Sequence, residues 1–257
     1  MTPSAWFAQQ GARCRLEWGW QGAMSAAERG DILVVVDVLS FSTTVATAIH
    51  SGGSIRPCVT QEEAERAAGE IGAEIAVPRR DVPQRGRFSL SPLTYLAMEP
   101  GVRVALPSPN GATCCHYGRA AFRLFVGGLV NARAIAEVVA GLLEAHPECS
   151  ATVLACGERW HPSSLDGALR FALEDYLGAG AILSYLPHSK SPEASACEAA
   201  FRGAQQDLEA MLWECGSGIE LRDKGYAEDV THAAQLNGYM AVPTLRNGLL
   251  EGTTPDV

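Results

Sequence analysis

Asp37 is followed within six residues by three hydroxyl side chains, those of Ser40, Ser42 and Thr43. The acid comes directly after an apolar, β-branched run, which predicts a position at the carboxyl end of a buried strand. The hydroxyl residues then fall at the predicted start of a helix, where unpaired N–H groups and the helix dipole attract anions. An acid beside such a helix start suggests metal-assisted phosphate chemistry. The alternative is a strand-end aspartate that only caps the helix.

A second segment repeats this pattern. A predicted strand ending at Leu106 is followed by Ser108, Asn110 and Gly111, and then by a helix rich in small residues. The Asn-Gly pair permits positive φ angles and lets the backbone approach a ligand closely. Because ligands of layered α/β sheets bind at the carboxyl ends of strands, we expect this turn to lie near Asp37.

Three further acids could complete such a site. Glu158 follows a buried predicted strand and a glycine, where it could be a metal ligand, a general base or the partner of Arg159 in an ion pair. Glu174 and Asp175 are neighbours on a predicted helix and cannot both face the same way, so at most one is expected to bind a metal directly. Their alternative is a solvated helix face.

The least regular segment, residues 78–92, carries a local concentration of arginines at Arg79, Arg80, Arg85 and Arg87. In an acidic protein these side chains could grip an anionic substrate, or they could simply be solvated. Two histidines, His116 and His161, lie near the predicted mouth of the site, although an isolated histidine is more often structural.

Strands and helices alternate along the chain and predict a three-layer α/β/α fold with a mostly parallel or mixed sheet. We expect one domain over residues 1–257, with an edge strand within residues 1–24 and a polar tail at 244–257. Residues 195–215 are predicted as one long amphipathic helix. Extended apolar helix faces make a homodimer plausible.

Composition restricts the partners. The net charge of −9 and the lack of basic stripes argue against nucleic acid. No apolar run approaches the length of a membrane span, and the first residues do not resemble a signal peptide, so a cytoplasmic protein is expected. The eight cysteines form no Cys-x-x-Cys pair, which predicts that most are buried thiols. The alternative for the adjacent Cys114 and Cys115 is a redox pair or a soft-metal site.

Familiar nucleotide-binding and hydrolase signatures are missing from the sequence. It contains neither a Walker A sequence nor a G-x-G-x-x-G, and neither a G-x-S-x-G nor an H-E-x-x-H motif. Nucleotide binding therefore has no direct support, and the serine hydrolase and zinc protease classes are disfavoured.

Six segments taken in order resemble the 2-phosphosulfolactate phosphatase family, the ComB-like proteins. They read VVVDVLSFSTTV, RFSLSPLTYL, LPSPNGAT, FVGGLVNARAIA, ALEDYLGAGAI and KGYAEDV. The resemblance extends from about Ile32 to Pro243 and implies a three-layer α/β fold. It also implies hydrolysis of a phosphate ester on a sulfonated hydroxy acid with the help of Mg²⁺.

The sequence departs from the family pattern in four segments, two of which read Leu90-Ser91-Pro92 for Asn-Ser-Pro and Pro107-Ser108-Pro109-Asn110-Gly111-Ala112 for Thr-Thr-Thr-Asn-Gly-Thr. Ser40 stands where the family usually has an arginine, and Arg79 stands where an acid is expected, whereas Arg80 matches the arginine of the same loop. Residues that match the family pattern are Asp37, Ser91, Asn110, Gly111, Glu174, Asp175 and Asp229.

The resemblance and the residues together imply a set of roles. We expect Asp37 and either Glu174 or Asp175 to bind Mg²⁺, while Glu158 and Arg80 take part in catalysis. The phosphate cradle would comprise Ser40, Ser42, Thr43, Ser91, Ser108, Asn110 and Gly111. The substrate would be a small anionic phosphate ester. The alternative, favoured by Ser40 and Arg79, is a non-catalytic protein of the same fold that binds a small anion or another protein.

Overall fold

The computed structural model describes residues 6–164 and 167–252, with side chains described at 6–160 and 168–252. The side chain of His161 and the last five residues of the expected tail lie outside the described part. The strands are β1 (Cys14–Trp18), β2 (Ile32–Val36), β3 (Ser54–Cys58), β4 (Glu74–Ile75), β5 (Arg103–Pro107), β6 (Arg123–Val126), β7 (Ala151–Ala155), β8 (Glu158–Ser164), β9 (Gly167–Arg170), β10 (Pro243–Arg246) and β11 (Leu249–Gly252).

Ten α-helices lie within the same described residues. They are α1 (Gly19–Glu28), α2 (Phe41–His50), α3 (Gln61–Ile71), α4 (Gly111–Gly118), α5 (Ala132–Ala145), α6 (Leu173–Tyr185), α7 (Pro192–Ala204), α8 (Leu208–Glu214), α9 (Gly216–Asp223) and α10 (Ala227–Ala233). None of the described helices is long and apolar enough to cross a membrane.

Strand β2 is covered on both faces, as its apolar run predicts. Ile32, Val34 and Val36 are buried in one hydrophobic core with α5, α6 and α7. Leu33 and Val35 point to the opposite side, into a second core with α1, α2 and α4. Since successive side chains of a strand alternate between faces, this division confirms the three-layer α/β/α fold.

Nine strands form one mixed sheet in the order β1-β7-β2-β6-β10-β11-β3-β5-β4. Strands β1, β7, β2 and β6 are parallel to one another, and so are β3, β5 and β4. The antiparallel hairpin β10–β11 joins the two groups. Strand β1 lies at the edge of the sheet, where the sequence placed it, and β8 and β9 form a separate hairpin.

The segment from 244 to 252 is not a tail but part of the middle of the sheet. Asn247 and Gly248 adopt φ angles of 51° and 79°, which suit a two-residue hairpin turn. Leu250 is fully buried and pairs with Ile55 of β3. The expected tail is therefore corrected, because its apolar residues fill the gap between β6 and β3.

The long helix expected at 195–215 is divided. Helix α7 ends at Ala204, a short 3₁₀ helix (Gln205–Asp207) follows, and α8 ends at Glu214. The Sγ atom of Cys215 then accepts a hydrogen bond from the N–H group of Gly218 at the start of α9. This cap begins a further helix directly after the predicted one, which is itself interrupted at Gln205–Asp207.

Candidate active site

Asp37 lies between the N-termini of two helices. Its Oδ2 atom accepts a hydrogen bond of 2.8 Å from the N–H group of Gly111 at the start of α4. Its Oδ1 atom accepts a longer one, 3.4 Å, from the N–H group of Phe41 at the start of α2. Both helix dipoles favour a negative charge here. Burial and the nearby carboxylates of Glu158 and Glu174 oppose it and raise the pKa of Asp37 to about 7.

Two of the hydroxyl groups predicted for the phosphate cradle are used within the turn itself. Ser42 Oγ accepts a hydrogen bond of 2.8 Å from the N–H group of Asp37 and donates a hydrogen bond to the carbonyl of Val35. Thr43 Oγ1 donates to the carbonyl of Val38 at 2.8 Å, and both side chains are fully buried. These groups therefore fix the turn after β2 rather than face a ligand.

A cavity of about 190 Å³ opens beside Asp37. Five of the predicted site residues line it, namely Asp37, Ser40, Ser108, Asn110 and Glu158. It is also lined by residues that the sequence did not single out for this pocket, among them Arg79, Ser217, Glu220, Lys224 and Tyr226. The volume suits a small metabolite and is below the ~300 Å³ at which pockets for drug-sized ligands begin.

The side chain of Glu158, the first residue of β8, is held by the Asn110 amide and forms no ion pair with the guanidinium group of Arg159. Asn110 Nδ2 donates to the Glu158 carboxylate at 2.7 Å, while Asn110 Oδ1 accepts from Arg159 Nε at 3.2 Å. Burial, followed by the charges of Glu174 and Glu220, raises the pKa of Glu158 above its usual range, although the Asn110 hydrogen bond acts in the opposite direction. A half-buried carboxylate with a raised pKa suits a general base.

The two acids at the start of α6 are both buried and have different surroundings. Asp175 accepts hydrogen bonds of 2.7 Å from the N–H group of Val38 and 2.8 Å from that of Gly157. It thus ties the loop after β2 to the loop after β7. Glu174 interacts with Asp37, Glu158 and the Cys215 thiol. The solvated helix face does not occur, and both acids lie close enough to Asp37 to interact with it electrostatically.

The arginine of the pocket is Arg79 rather than Arg80. Arg80 is 83% exposed, and its nearest acid is Asp81 at 3.9 Å. Arg79 lines the pocket, and its Nη2 atom donates to Ser40 Oγ at 2.7 Å and to the carbonyl of Leu90 at 2.9 Å. Adjacent residues in the short 3₁₀ helix (Arg79–Asp81) point in different directions, so only one of them can enter the site.

Ser91 does not face the ligand space. Its hydroxyl donates to Asp229 Oδ1 at 2.5 Å, while Asp229 Oδ2 accepts from Arg79 Nε at 3.0 Å. Burial raises the pKa of Asp229, and Ser91 and Arg79 act in the opposite direction. The pair Ser91 and Asp229 therefore anchors the pocket arginine. No motif in the sequence revealed this function, which depends on residues 138 positions apart.

The cysteines and His116 are not among the described residues that line the pocket. All eight cysteines are free thiols and buried, which confirms that prediction. Burial raises the pKa of both Cys115 and Cys156 well above the usual range, which makes these thiols poor nucleophiles. His116 is exposed and contacts Arg119.

The donor chemistry of the pocket fits Mg²⁺ without forming a complete cage. Among the described residues, no group of three or more His, Cys, Asp or Glu side chains is arranged to hold a metal ion. Mg²⁺ commonly binds through only one or two carboxylates, keeping water and substrate oxygens as its other ligands. Asp37 and Glu158, which both line the cavity, supply two such hard oxygen donors, and their mutual repulsion would be relieved by a divalent cation.

Comparisons with known proteins agree on one family. The family model described as 2-phosphosulpholactate phosphatase matches residues 21–248. A probable 2-phosphosulfolactate phosphatase of Carboxydothermus hydrogenoformans is 34% identical over 217 residues, covering 82% of this chain and 84% of that protein. One from Parasynechococcus marenigrum is 30% identical, with 89% and 95% covered. The 2-phosphosulfolactate phosphatase of Methanocaldococcus jannaschii is 26% identical, with 83% and 88% covered.

Proposed function

Since the chain belongs to the 2-phosphosulfolactate phosphatase family, we propose that it hydrolyses 2-phosphosulfolactate or a related phosphorylated hydroxy acid in a Mg²⁺-dependent reaction. The observation that carries this proposal is the placement of Asp37. A buried carboxylate with a raised pKa lies between two helix starts and faces a small cavity that also contains Glu158. Such a pair of carboxylates suits a divalent cation, and a bound cation would in turn attract a phosphate group more strongly than a neutral ligand.

Asp37 is the residue that would hold the metal ion, with Glu174 and Glu158 nearby. When bound, Mg²⁺ would neutralise charge on the phosphate oxygens. Asp175 positions the two loops that carry Asp37 and Glu158, because it accepts N–H groups from both of them. Its role is therefore to keep the acids at a fixed separation.

Glu158 would act as the base. In the proposed step a water oxygen forms a bond to phosphorus, the ester P–O bond breaks, and the alkoxide leaves with the bonding electrons and takes a proton from solvent to become the alcohol. The Glu158 carboxylate takes a proton from the attacking water, which its raised pKa favours. Asn110 holds this carboxylate in place through a hydrogen bond of 2.7 Å.

The alternative hypothesis, a non-catalytic protein that binds a small anion or another protein, loses its main argument. It depended on the absence of a cation at position 40, whereas Arg79 contacts Ser40 and lines the same cavity. A positive charge is therefore present in the pocket although it comes from another loop.

The test is phosphate release from 2-phosphosulfolactate by three proteins, the native chain, Asp37→Asn and Asp207→Asn, each with Mg²⁺ and with a chelator. We expect Asp37→Asn to lower kcat/KM by roughly 100- to 1,000-fold, because the principal hard ligand is lost. Asp207 is exposed and distant from the cavity lining, so Asp207→Asn should match the native chain. Equal rates for the native chain and Asp37→Asn would refute the proposal, as would full activity in the chelator.

A further inference from the structure

The guanidinium group of Arg79 is fixed on three sides. Its Nε atom donates to Asp229 at 3.0 Å, and its Nη2 atom donates to Ser40 Oγ and to the carbonyl of Leu90. The plane of the group lies over the ring of Tyr226, with 5.4 Å between Cζ and the ring centroid. Since the side chain has only 17% of its surface exposed, it is held in one orientation.

The Nη1 atom of the same group makes no hydrogen bond to any described residue. Nη1 is not one of the fully buried nitrogen atoms without a hydrogen-bond partner, so part of its surface is accessible to solvent. Arg79 lines both the cavity that contains Asp37 and a second cavity bordered by Val77 and Leu106. Of the two, the Asp37 cavity is the one in which a ligand held at Asp37 can also reach this arginine. Two N–H donors of a pre-oriented cation are thus available for an anionic oxygen.

Arg79 is distinct from the other cation of the cavity. Lys224 pairs with Glu220 on the more exposed side, and both side chains are 59% exposed. Arg79 forms an ion pair with Asp229, and the Ser91 hydroxyl holds Asp229 in place. The Asp229 carboxylate therefore covers the Nε edge of the guanidinium group and leaves its Nη1 edge open. A buried guanidinium group requires a carboxylate partner. Here Asp229 also fixes the direction in which the free Nη1 donors of Arg79 point.

Arg79 does not neutralise the catalytic carboxylate. It forms no ion pair with Asp37 among the described residues, and both contact the turn at the start of α2 through different atoms. A phosphate placed against Asp37 and Glu158 would therefore leave the Nη1 donors for another part of the same ligand.

We propose that Arg79 binds the second anionic group of the substrate, a carboxylate or sulfonate, and so selects phosphate esters that carry one. This assignment rests on the proposed function, since it takes the phosphate to lie at Asp37. It makes Arg79 a specificity-determining residue, supplied from the loop after β4 and held by Ser40.

The test compares two probes that differ in one group, 2-phosphoglycolate and ethyl phosphate, by calorimetric binding in the presence of Mg²⁺. In Arg79→Gln we expect 2-phosphoglycolate to bind roughly 10- to 100-fold more weakly, because a charge-assisted hydrogen bond is lost. Ethyl phosphate should change by less than about threefold, since it lacks the carboxylate. The matched control, Arg202→Gln, should leave both affinities unchanged, because Arg202 is 59% exposed, pairs with Glu198 and does not line the cavity.

Each other outcome has a defined meaning. Equal weakening of both probes in Arg79→Gln would show that the arginine holds the phosphate, and unchanged binding of both would show a structural role only; either result overturns the assignment. Thermal unfolding of Arg79→Gln, and of Arg79→Lys as a second variant, verifies that the fold is intact. A native chain that binds neither probe would contradict the proposed function itself, which separates that failure from a failure of the assignment to Arg79.

Discussion

At the scale of single residues, Asp37 illustrates how the fold holds a carboxylate under opposing influences. Two helix starts donate hydrogen bonds to it, which favours the ionised form. Burial and the charges of Glu158 and Glu174 favour the protonated form and prevail, so its pKa is raised. Because the pKa values of Asp175 and Glu158 are raised as well, this cluster of acids costs the fold stability at neutral pH.

This cost predicts a pH dependence of stability. A carboxyl group whose pKa is raised in the folded state binds its proton more tightly there than in the unfolded chain. The group stabilises the fold fully below its ordinary pKa of about 4, and this contribution is lost as the pH rises through the pKa of the folded state. For Asp37 the folded-state pKa is about 7. In a chelator, the midpoint of thermal unfolding should therefore be lower at about pH 8 than at about pH 5.5.

Substitution isolates the contribution of Asp37 from those of other groups. His232 acts in the opposite sense, since burial lowers its pKa. Asp37→Asn should show a smaller fall of the unfolding midpoint between the two pH values than the native chain, whereas Asp207→Asn should show the full fall. An identical fall in Asp37→Asn and the native chain would mean that the carboxylate of Asp37 is not destabilised by burial.

Part of the candidate site could be predicted from residue type and position. Asp37, Ser108 and Glu158 each follow a predicted strand, and positions after strands are where a layered fold collects its ligand groups. The sequence could not predict which of Arg79 and Arg80 enters the pocket. Residues 78–92 have no regular hydrophobic period that would show which side chain points inward. This choice is settled by the contact of Arg79 with Asp229, 150 residues away.

At the scale of elements, the close approach of α2 and α4 places the Gly111 N–H group against Asp37. A Cβ atom at Gly111 would lie 2.2 Å from the Phe41 ring, so only glycine permits this approach. The strands and most helices could be predicted from their patterns, as for α3, where Thr60 accepts the N–H group of Glu63 at 3.2 Å. The contact between α2 and α4 could not, since it joins two segments 70 residues apart.

A pair of glycine substitutions tests this packing. Gly111→Ala should lower the free energy of unfolding by about 1 to 3 kcal/mol, because the added methyl group overpacks the contact with Phe41. It should also reduce phosphate release, since α4 must move away from Asp37. Gly141→Ala lies in α5 with open space around the new methyl group and should instead gain roughly 0.5 to 1 kcal/mol. Denaturant unfolding measures both, and a gain of stability in Gly111→Ala would contradict the described contact.

At the scale of the whole molecule, the hairpin β10–β11 connects two groups of parallel strands into one sheet. Its Asn247-Gly248 turn is the dipeptide most typical of hairpins, so the hairpin could have been predicted where a tail was expected. Its insertion between β6 and β3 could not, because strand order depends on tertiary packing of distant segments. The homodimer stays a prediction. Trp20 and Tyr117, whose ring centroids are 4.9 Å apart, offer exposed apolar surface for it.

The central claim is that a phosphate ester binds and reacts in the cavity beside Asp37. Its most direct test is a crystal structure with the phosphonate analogue of 2-phosphosulfolactate, in which a methylene group replaces the bridging oxygen, and Mg²⁺. We predict the phosphonate against Asp37 and Glu158, with a carboxylate or sulfonate oxygen at Arg79 Nη1. An analogue bound outside this cavity, or one whose phosphonate lies away from Asp37, would contradict the claim.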